Sequence, residues 1–342
     1  MTIEVPALRL GLAGHTEAQQ KMAVEAARAA ATHRATWEVG NFADADAWWL
    51  EGSRTLLMPN EHLRVQPAVP TGRSVQIALA DVDRPVAFTR PITAPNFKPA
   101  ITFDLADDAA AVRVLHQFAD WLQTLLSQFA LASSITEHQP TLAAGSWEVL
   151  RGSELLAVVD LKLGAGIMPG VSSRDFEGGS WCIRDRGAVA IPHDYPRVSV
   201  SQLMWQYAQR TRRDLLPPHY RQQKLYFRRP PRLPQRQLRD AHLLLMRELA
   251  TQPGMTFDEL QHATGLAAPP LARFLSALYV VGSITANPRR ATEMSARIAG
   301  GRDSVAPDES LFSVSVQEGA HPPLRRPNQD LTAPLPLMPD MN

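Results

Sequence analysis

The first part of the chain alternates short apolar runs with helical patterns. Apolar runs at 8–13 (LRLGLA) and 54–59 (RTLLMP) predict strands. Between them, Thr16 followed by Gln19 has the capping-box pattern and precedes an alanine-rich helix. The segment 43–52 (ADADAWWLEG) is interpreted as a second, short helix. This alternation of strand and helix predicts a small α/β layer.

Two further strand-like runs follow close together, at 74–80 (SVQIALA) and 84–89 (RPVAFT). Only a few residues separate them, and a parallel crossover needs a dozen or more, so an antiparallel hairpin is expected. Residues 107–131 then carry apolar side chains at helical spacing over their whole length. They predict one long amphipathic helix.

The pattern changes again in the second half of the chain. Residues 145–200 contain short β-rich runs split by glycine and turn residues, which predicts a small antiparallel meander. Residues 199–214 resume a helical pattern, and proline pairs at 217–218 and 230–231 prevent one continuous helix. From residue 291 to residue 342 the composition turns to Pro, Ser, Gly and charge, which predicts a disordered tail.

Length and composition restrict the class of protein. A chain of 342 residues with 45% hydrophobic residues predicts two or three domains with real cores. One cysteine, Cys182, excludes a disulfide framework and indicates a reducing compartment. Neither a signal-peptide pattern nor an apolar stretch near the ~20 residues of a membrane span is present. The expectation is a cytoplasmic protein without membrane association, bacterial in its arginine- and alanine-rich style.

Charge is distributed unevenly along the chain. The whole chain carries a net charge of only +1, but residues 210–239 hold ten basic residues and one acid, Asp214. That window is +9, whereas the remainder, with 25 basic and 33 acidic residues, is −8. Such asymmetry points to a polyanionic partner, or to an acidic face elsewhere on the same protein.

The basic window and the residues that follow it supply the candidate binding residues. Arginine pairs with phosphate, and aromatic side chains stack on bases, so the same set suits nucleic acid or an anionic nucleotide such as a cyclic dinucleotide. The candidate anion-binding residues are Arg210, Arg212, Arg213, Arg221, Arg228, Arg229, Arg232, Arg236, Arg239, Arg273, Arg289 and Arg290. The candidate stacking residues are Tyr220, Tyr226 and Phe227. Alternatively, the arginines form an interdomain strap by pairing with acids such as Asp104, Asp107 and Asp108.

Residues 236–290 have the pattern of three short helices followed by a strand. Pro253-Gly254 ends the first helix, Thr256 and Glu259 form a capping box for the second, and Gly265 permits a tight turn. This segment resembles a winged helix-turn-helix domain, a resemblance that implies DNA binding through its third helix. The exposed positions of that helix would be Ala267, Ala268, Pro269, Ala272, Arg273 and Ser276. Only Arg273 and Ser276 can hydrogen-bond, so this face is poor at direct readout of bases.

The segment 86–92 (VAFTRPI) is an apolar strand that ends in a basic residue and Pro-Ile. With the strand–helix order before it, this resembles a response-regulator receiver domain over about 120 residues. The resemblance implies acids after the first strand, an acceptor aspartate after the third and a lysine at the end. The corresponding residues here are Ala13, Gly14 and His15 for the acids, Asn60 near the acceptor and Arg90 for the lysine. Too few oxygen ligands remain for a divalent metal, so a degenerate receiver that cannot be phosphorylated is expected.

Catalytic motifs are not found. The segment 11–20 (GLAGHTEAQQ) has neither the Lys-Ser/Thr of a P-loop nor a full G-x-G-x-x-G pattern, and H-E-x-x-H and C-x-x-C are absent. Ser172-Ser173 lacks the G-x-S-x-G frame, and Cys182 between Trp181 and Ile183 is interpreted as a core residue. No enzyme, cofactor or metal is therefore expected.

The predicted organisation is a multidomain α+β protein. An α/β receiver-like domain (1–135) precedes a β-rich domain (145–200), an Arg-rich connector (201–235), a winged-helix domain (236–290) and the tail (291–342). The leading hypothesis is a bacterial regulator, acting in transcription or signal transduction, that binds nucleic acid. The alternatives are an effector that binds an anionic second messenger and a scaffold whose winged helix packs on a protein partner. The sequence leaves the oligomeric state open.

Overall fold

The computed structural model describes residues 4–291 apart from 70–71, 95–96, 139–141, 143–144, 161–163, 185–190 and 235–236. Of the described residues, Val5–Leu126 form one compact unit, and Glu4 with the residues from Ser127 onward forms another. The predicted multidomain α+β class is confirmed: a parallel sheet with helices is followed by antiparallel sheets and a helical region. The predicted tail, apart from its first residue, lies outside the described residues.

A parallel four-stranded sheet with the order β2-β1-β3-β7 forms the centre of the first unit. Its strands are β1 (Ala7–Ala13), β2 (Thr36–Gly40), β3 (Ala47–Leu50) and β7 (Val86–Phe88). A single parallel bridge from Phe88 to Thr102 extends the same arrangement beyond β7. The carboxyl ends of β1, β3 and β7 therefore meet at one edge of the sheet.

Strand β3 replaces the short helix that the sequence predicts for residues 43–52, so that prediction was wrong. One 3-10 turn, Phe42–Asp44, is capped by the Asn41 side chain, and the chain then extends into a strand that is buried throughout. Trp48 packs into the core on one face of the sheet and Trp49 into the core on the other. A strand buried on both faces is continuously apolar and lacks the alternation that marks a half-exposed strand.

The predicted hairpin of 74–80 with 84–89 is also wrong. Residues 75–78 belong to a separate antiparallel sheet with the order β4-β5-β6, whereas β7 pairs in parallel with β3. The strands of the small sheet are β4 (Thr55–Met58), β5 (His62–Val65) and β6 (Val75–Ala78). Residues 51–85 are thus a crossover long enough for a parallel connection, built from strands instead of a helix.

Helices cover one face of the parallel sheet, and the small sheet covers the other. Helix α1 (Glu17–Ala29) has the predicted capping box at Thr16 and Gln19, and it packs against α2 (Asp108–Trp121). On the opposite face, Leu63 and Ile77 of the small sheet pack with Leu50 and Phe88. The long helix predicted for 107–131 is two helices, because α2 ends at Trp121 and α3 (Gln123–His138) follows.

The second unit contains the predicted antiparallel meander. Its five-stranded sheet has the order β11-β8-β9-β10-β12. The strands are β8 (Ser146–Arg151), β9 (Glu154–Asp160), β10 (Gly164–Ile167), β11 (Ser180–Arg184) and β12 (Arg197–Val198), with the short helix α4 (Ser173–Glu177) before β11. Cys182 is a free, half-buried cysteine on β11.

The helical region of the second unit follows the predicted order of three helices and a strand. Its elements are α5 (Val200–Arg210), α6 (His219–Gln222), β13 (Tyr226–Phe227), α7 (Asp240–Thr251), α8 (Phe257–Thr264), α9 (Ala268–Val280) and β14 (Ile284–Thr285). The Thr256–Glu259 capping box is present, and Gly265 ends α8 with φ +67°. One apolar core includes residues of α3, the sheet and α9. The domain boundaries predicted within this unit stay a prediction.

Candidate functional site

The basic window of residues 210–239, which we call the basic segment, is held in place by backbone hydrogen bonds to residues that follow it in the chain. Leu225 and Met255 exchange a pair of them, at 2.7 and 3.0 Å between N and O. Strand β13 then pairs with β14, and the Arg228 amide donates to the Ser283 carbonyl at 2.9 Å. These bonds fix the segment on the helical region, so the positions of its side chains are determined by the fold.

Several apolar side chains of this segment face inward. Leu216, Tyr220 and Leu225 are buried in the core of the unit. The Tyr220 ring is only 2% exposed and meets the Tyr279 ring edge-on, with ring centroids 4.9 Å apart. The proposed role of Tyr220 in stacking on a base is therefore wrong, because no face of this ring is open to a ligand.

The other two candidate stacking residues are half-buried. The Tyr226 ring lies so close to Gly254 that a Cβ atom at position 254 would sit 2.5 Å from it. Phe227 packs against the core of the unit. Part of each ring is thus committed to internal packing, and neither forms an open aromatic platform.

The basic side chains divide into an exposed and a half-buried group. Exposed are Arg212, Arg221, Lys224, Arg232, Arg273 and Arg289. Half-buried are Arg210, Arg213, Arg228, Arg229, Arg239 and Arg290. Arg236 lies outside the described residues. A large anion can reach the exposed side chains directly. We call these six residues the exposed basic set.

Among the predicted arginines, Arg213 and Arg221 pair with acids nearby. Arg213 contacts Glu137 at 2.6 Å and Glu4 at 3.2 Å between nitrogen and oxygen. Arg221 contacts Asp214 at 2.6 Å, and its guanidinium lies 5.6 Å from the centre of the Phe257 ring. Arg213 therefore has a structural role, whereas the strap to acids of residues 104–108 stays a prediction.

Helix α9, the predicted recognition helix, is largely internal. It packs against α5, and most of its side chains from Leu271 onward are buried. Ala272 and Ser276 are only 7% and 4% exposed, and the Ser276 hydroxyl donates to the Ala272 carbonyl. Their predicted exposure is wrong. Of the two residues expected to hydrogen-bond with bases, Arg273 alone remains on the surface.

A second group of polar residues lies at the carboxyl edge of the parallel sheet in the first unit. His15 follows β1, Glu51 follows β3 and Thr89 follows β7, and each is at most 3% exposed. Gln19 and Ser53 join them through hydrogen bonds to Glu51. We call these five residues the carboxyl-edge cluster.

The Glu51 carboxylate accepts hydrogen bonds from three side chains of the cluster. The donors are the Ser53 hydroxyl at 2.8 Å, the Gln19 amide nitrogen at 2.9 Å and the Thr89 hydroxyl at 3.0 Å. Burial by itself raises the pKa of Glu51, but the hydrogen bonds from Ser53 and Thr89, together with His15, outweigh burial and hold the pKa below its usual range. Glu51 is therefore a buried, ionised carboxylate.

The capping box of α1 orients Gln19 toward Glu51. The Gln19 side-chain oxygen accepts from the Thr16 backbone amide at 2.8 Å. This leaves the side-chain nitrogen pointing at the Glu51 carboxylate. A local helix-start signal in the sequence thus also positions a donor in the cluster.

His15 completes the cluster as a neutral side chain. Burial lowers the pKa of His15 to about 4, although the nearby Glu51 carboxylate raises it. His15 Nε2 lies 3.1 Å from the Thr89 hydroxyl oxygen. Because that hydroxyl donates to Glu51, Nε2 carries the imidazole proton and donates to Thr89. The Nδ1 atom is buried and has no hydrogen-bond partner among the described residues.

The residue that follows the third parallel strand is not the one that the sequence predicts. The run RTLLMP predicts this strand and places Asn60 after it, but Asn60 is exposed in the turn between β4 and β5. Glu51 follows the third parallel strand instead. A buried run (AWWL) that stops at a carboxylate is a signal in the sequence that marks this residue.

Comparison of the chain with protein-family models, with curated proteins and with solved structures gives no match. Within the part of the chain that the structure describes, no group of three or more His, Cys, Asp or Glu residues has a metal-binding arrangement. In the same residues, no helix is long and apolar enough to cross a membrane.

Proposed function

We propose that this protein is a non-enzymatic cytoplasmic regulator of a bacterial cell. It would bind nucleic acid by contacting the phosphate backbone of the nucleic acid. The observation that carries the proposal is the fixed geometry of the basic segment. Backbone pairing at Leu225 and β13 holds the segment on the helical region, its apolar side chains face the core, and the exposed basic set faces outward. A preorganised basic surface binds phosphates without the entropy cost of ordering a flexible segment.

The charge of the surrounding region supports this proposal. Residues 127–291 contain 20 basic and 13 acidic residues and so carry a net charge of +7. A field of one sign raises the local concentration of polyanions and the rate at which they associate. Contacts of this kind act on phosphates and carry no base sequence information.

The helical region is proposed to be a winged helix that does not insert its third helix into DNA. The cap at Thr256, the left-handed Gly265 and the pairing of β14 with β13 support the winged-helix interpretation. Insertion into the major groove needs a helix face with polar side chains that reach base edges. Since α5 covers α9, we expect binding with little sequence preference.

A second candidate function follows from the same packing of α9. A winged helix whose third helix is internal can serve as a scaffold for a protein partner. An anionic second messenger such as a cyclic dinucleotide is the third candidate, because guanidinium groups pair with phosphate and stack on purines. In either case the exposed basic set would have a role other than duplex binding, which the experiment below detects.

We further propose that the first unit is a receiver-like domain that cannot be phosphorylated. Its parallel order β2-β1-β3-β7, with the bridge at Thr102 beyond it, follows the doubly wound order 2-1-3-4-5. The acids that receiver chemistry places after the first strand are replaced by Ala13, Gly14 and His15. This unit would then regulate by contact and not by phosphoryl transfer.

Substitution of exposed basic residues tests the proposed nucleic-acid function. Fluorescence anisotropy with a labelled duplex compares the wild type with a triple variant, Lys224→Ala, Arg232→Ala and Arg289→Ala. We expect affinity to fall at least tenfold, since each lost phosphate contact removes about 1 kcal/mol. The matched control replaces Arg28, Arg73 and Arg113, which are exposed in the first unit, and changes the net charge equally.

The outcomes separate the three candidate functions. A loss confined to the first triple variant supports phosphate binding at this surface. Equal losses in both triple variants would mean that net charge alone matters and would contradict a defined site. Binding of a labelled cyclic dinucleotide without duplex binding favours the second-messenger function, and absence of both favours the scaffold.

A further inference from the structure

The carboxyl-edge cluster lies at the point where an α/β sheet of this kind binds its ligands. From β1 the chain crosses to β2 on one side and then to β3 on the other, so the direction in which successive strands are added reverses between β1 and β3. Ligands of open α/β sheets bind outside the carboxyl ends of the strands at such a switch point. In this protein His15 and Glu51 occupy that place.

The surroundings of the Glu51 carboxylate are those of an anion site. The side chains of Ser53, Gln19 and Thr89 converge on it from three different elements, and the Ser53 amide adds a longer contact of 3.4 Å. A carboxylate that is 98% removed from solvent is stable in the ionised form only with such donors. The donor set is the recognition apparatus, and Glu51 is the anion.

The composition of this donor set selects a singly charged, small anion. All the close donors are neutral, and the nearest cation, Arg90, is 63% exposed with its Nε atom 4.0 Å from the carboxylate. A phosphate dianion requires more positive charge than an exposed guanidinium at that distance provides. A carboxylate needs only neutral donors of the kind present.

The backbone on either side of the cluster packs closely against its neighbours at two glycines. A Cβ atom at Gly52 would lie 1.8 Å from the Arg90 carbonyl oxygen, and one at Gly14 would lie 2.9 Å from Val65. The donors of the cluster are already bonded to Glu51, so an external anion can use them only where the Glu51 side chain is removed.

We propose that the switch point of this sheet is a monocarboxylate-binding site that the chain occupies with its own Glu51. The first unit is thereby held in the occupied state without a ligand, and Thr89, which follows β7, is fixed by its hydrogen bond to Glu51. This assignment is independent of the nucleic-acid function proposed above. It predicts that the site accepts a free carboxylate once the internal one is deleted.

Rescue by acetate tests this assignment. Glu51→Ala removes a CH₂–COO⁻ group, for which acetate is the matching molecule. Thermal unfolding at pH 7 is followed while acetate replaces chloride at constant ionic strength. With a dissociation constant of ~10 mM, 100 mM acetate raises the folded-to-unfolded ratio about 11-fold. The expected result is a saturable rise in Tm for Glu51→Ala that the wild type lacks.

Two control variants make the result specific. Leu63→Ala deletes a fully buried side chain of the same unit without removing an anion, and it should show no acetate response beyond the general effect of the salt. Glu51→Gln keeps the shape but presents an NH₂ group to the donors, so acetate should not rescue it. An equal acetate effect on Glu51→Ala and Leu63→Ala would overturn the assignment.

Titration of the full-length protein tests the same site if Glu51→Ala does not fold. Ser53 is exposed and its replacement by alanine removes one donor while Glu51 stays in place. NMR titration should give Glu51 a pKa below its usual range in the wild type and a higher pKa in Ser53→Ala. A Glu51 carboxyl that titrates identically in both proteins would show that no donor set acts on it.

Discussion

His15 has an environment that differs strongly from water, and the consequence is a stability that depends on pH. Its pKa is about 4 in the folded chain, compared with a usual value of 6.5. Between these values the unfolded chain binds a proton that the folded chain does not, so stability is lost as the pH falls from about 6.5 to about 4. The lowered pKa of Glu51 also reduces the stability of the folded chain at lower pH. The stabilisation by the ionised Glu51 carboxylate is lost as the pH falls below the usual pKa of 4.5.

A comparison of unfolding at two pH values tests this account of His15. Between pH 7 and pH 4.5 we expect the wild type to lose about 2 to 3 kcal/mol more free energy of unfolding than His15→Gln. Urea unfolding, followed by tryptophan fluorescence, measures the difference. His33→Gln, at an exposed position of the same unit, is the control and should keep the wild-type pH dependence.

At the scale of single elements, local signals in the sequence were sufficient where the structure is determined locally. The capping boxes at Thr16 and Thr256 and the turn at Gly265 were predicted and are present. Strand β3 was missed because burial on both faces removes the alternation that identifies a strand. The carboxyl-edge cluster depends on β3, so a sequence pattern that predicts a helix for residues 43–52 does not reveal Glu51. Tyr220 shows the same limitation, since an aromatic residue in a basic segment does not reveal which way its ring faces.

The packing of α9 on α5 leads to a prediction at this scale. Ala272→Glu places a carboxylate at a buried position of α9 and should reduce the free energy of unfolding by about 2 kcal/mol or more. The neighbouring substitution Arg273→Glu, at an exposed position, should leave stability within about 0.5 kcal/mol of the wild type. Chemical denaturation of both variants measures the contrast. Equal stability of the two would mean that α9 is open and available as a recognition helix.

At the scale of the whole molecule, the uneven charge was visible in the sequence but its spatial arrangement was not. The sequence identifies a +9 window, yet it cannot separate arginines that pair internally, such as Arg213, from those that face solvent, such as Arg273. The fold makes this separation because β13 and Leu225 fix the segment in one orientation. The binding proposed for this surface would consequently be electrostatic.

The salt dependence of duplex binding tests this central claim most directly. Anisotropy with a labelled duplex at ~50 and ~200 mM salt gives the slope of log K against log salt, which is about −0.9 for each phosphate contact. Four contacts by the exposed basic set would reduce affinity about 150-fold between these two salt concentrations. A slope near zero, or no duplex binding at ~50 mM salt, would contradict the proposal that this protein binds the phosphate backbone of nucleic acid.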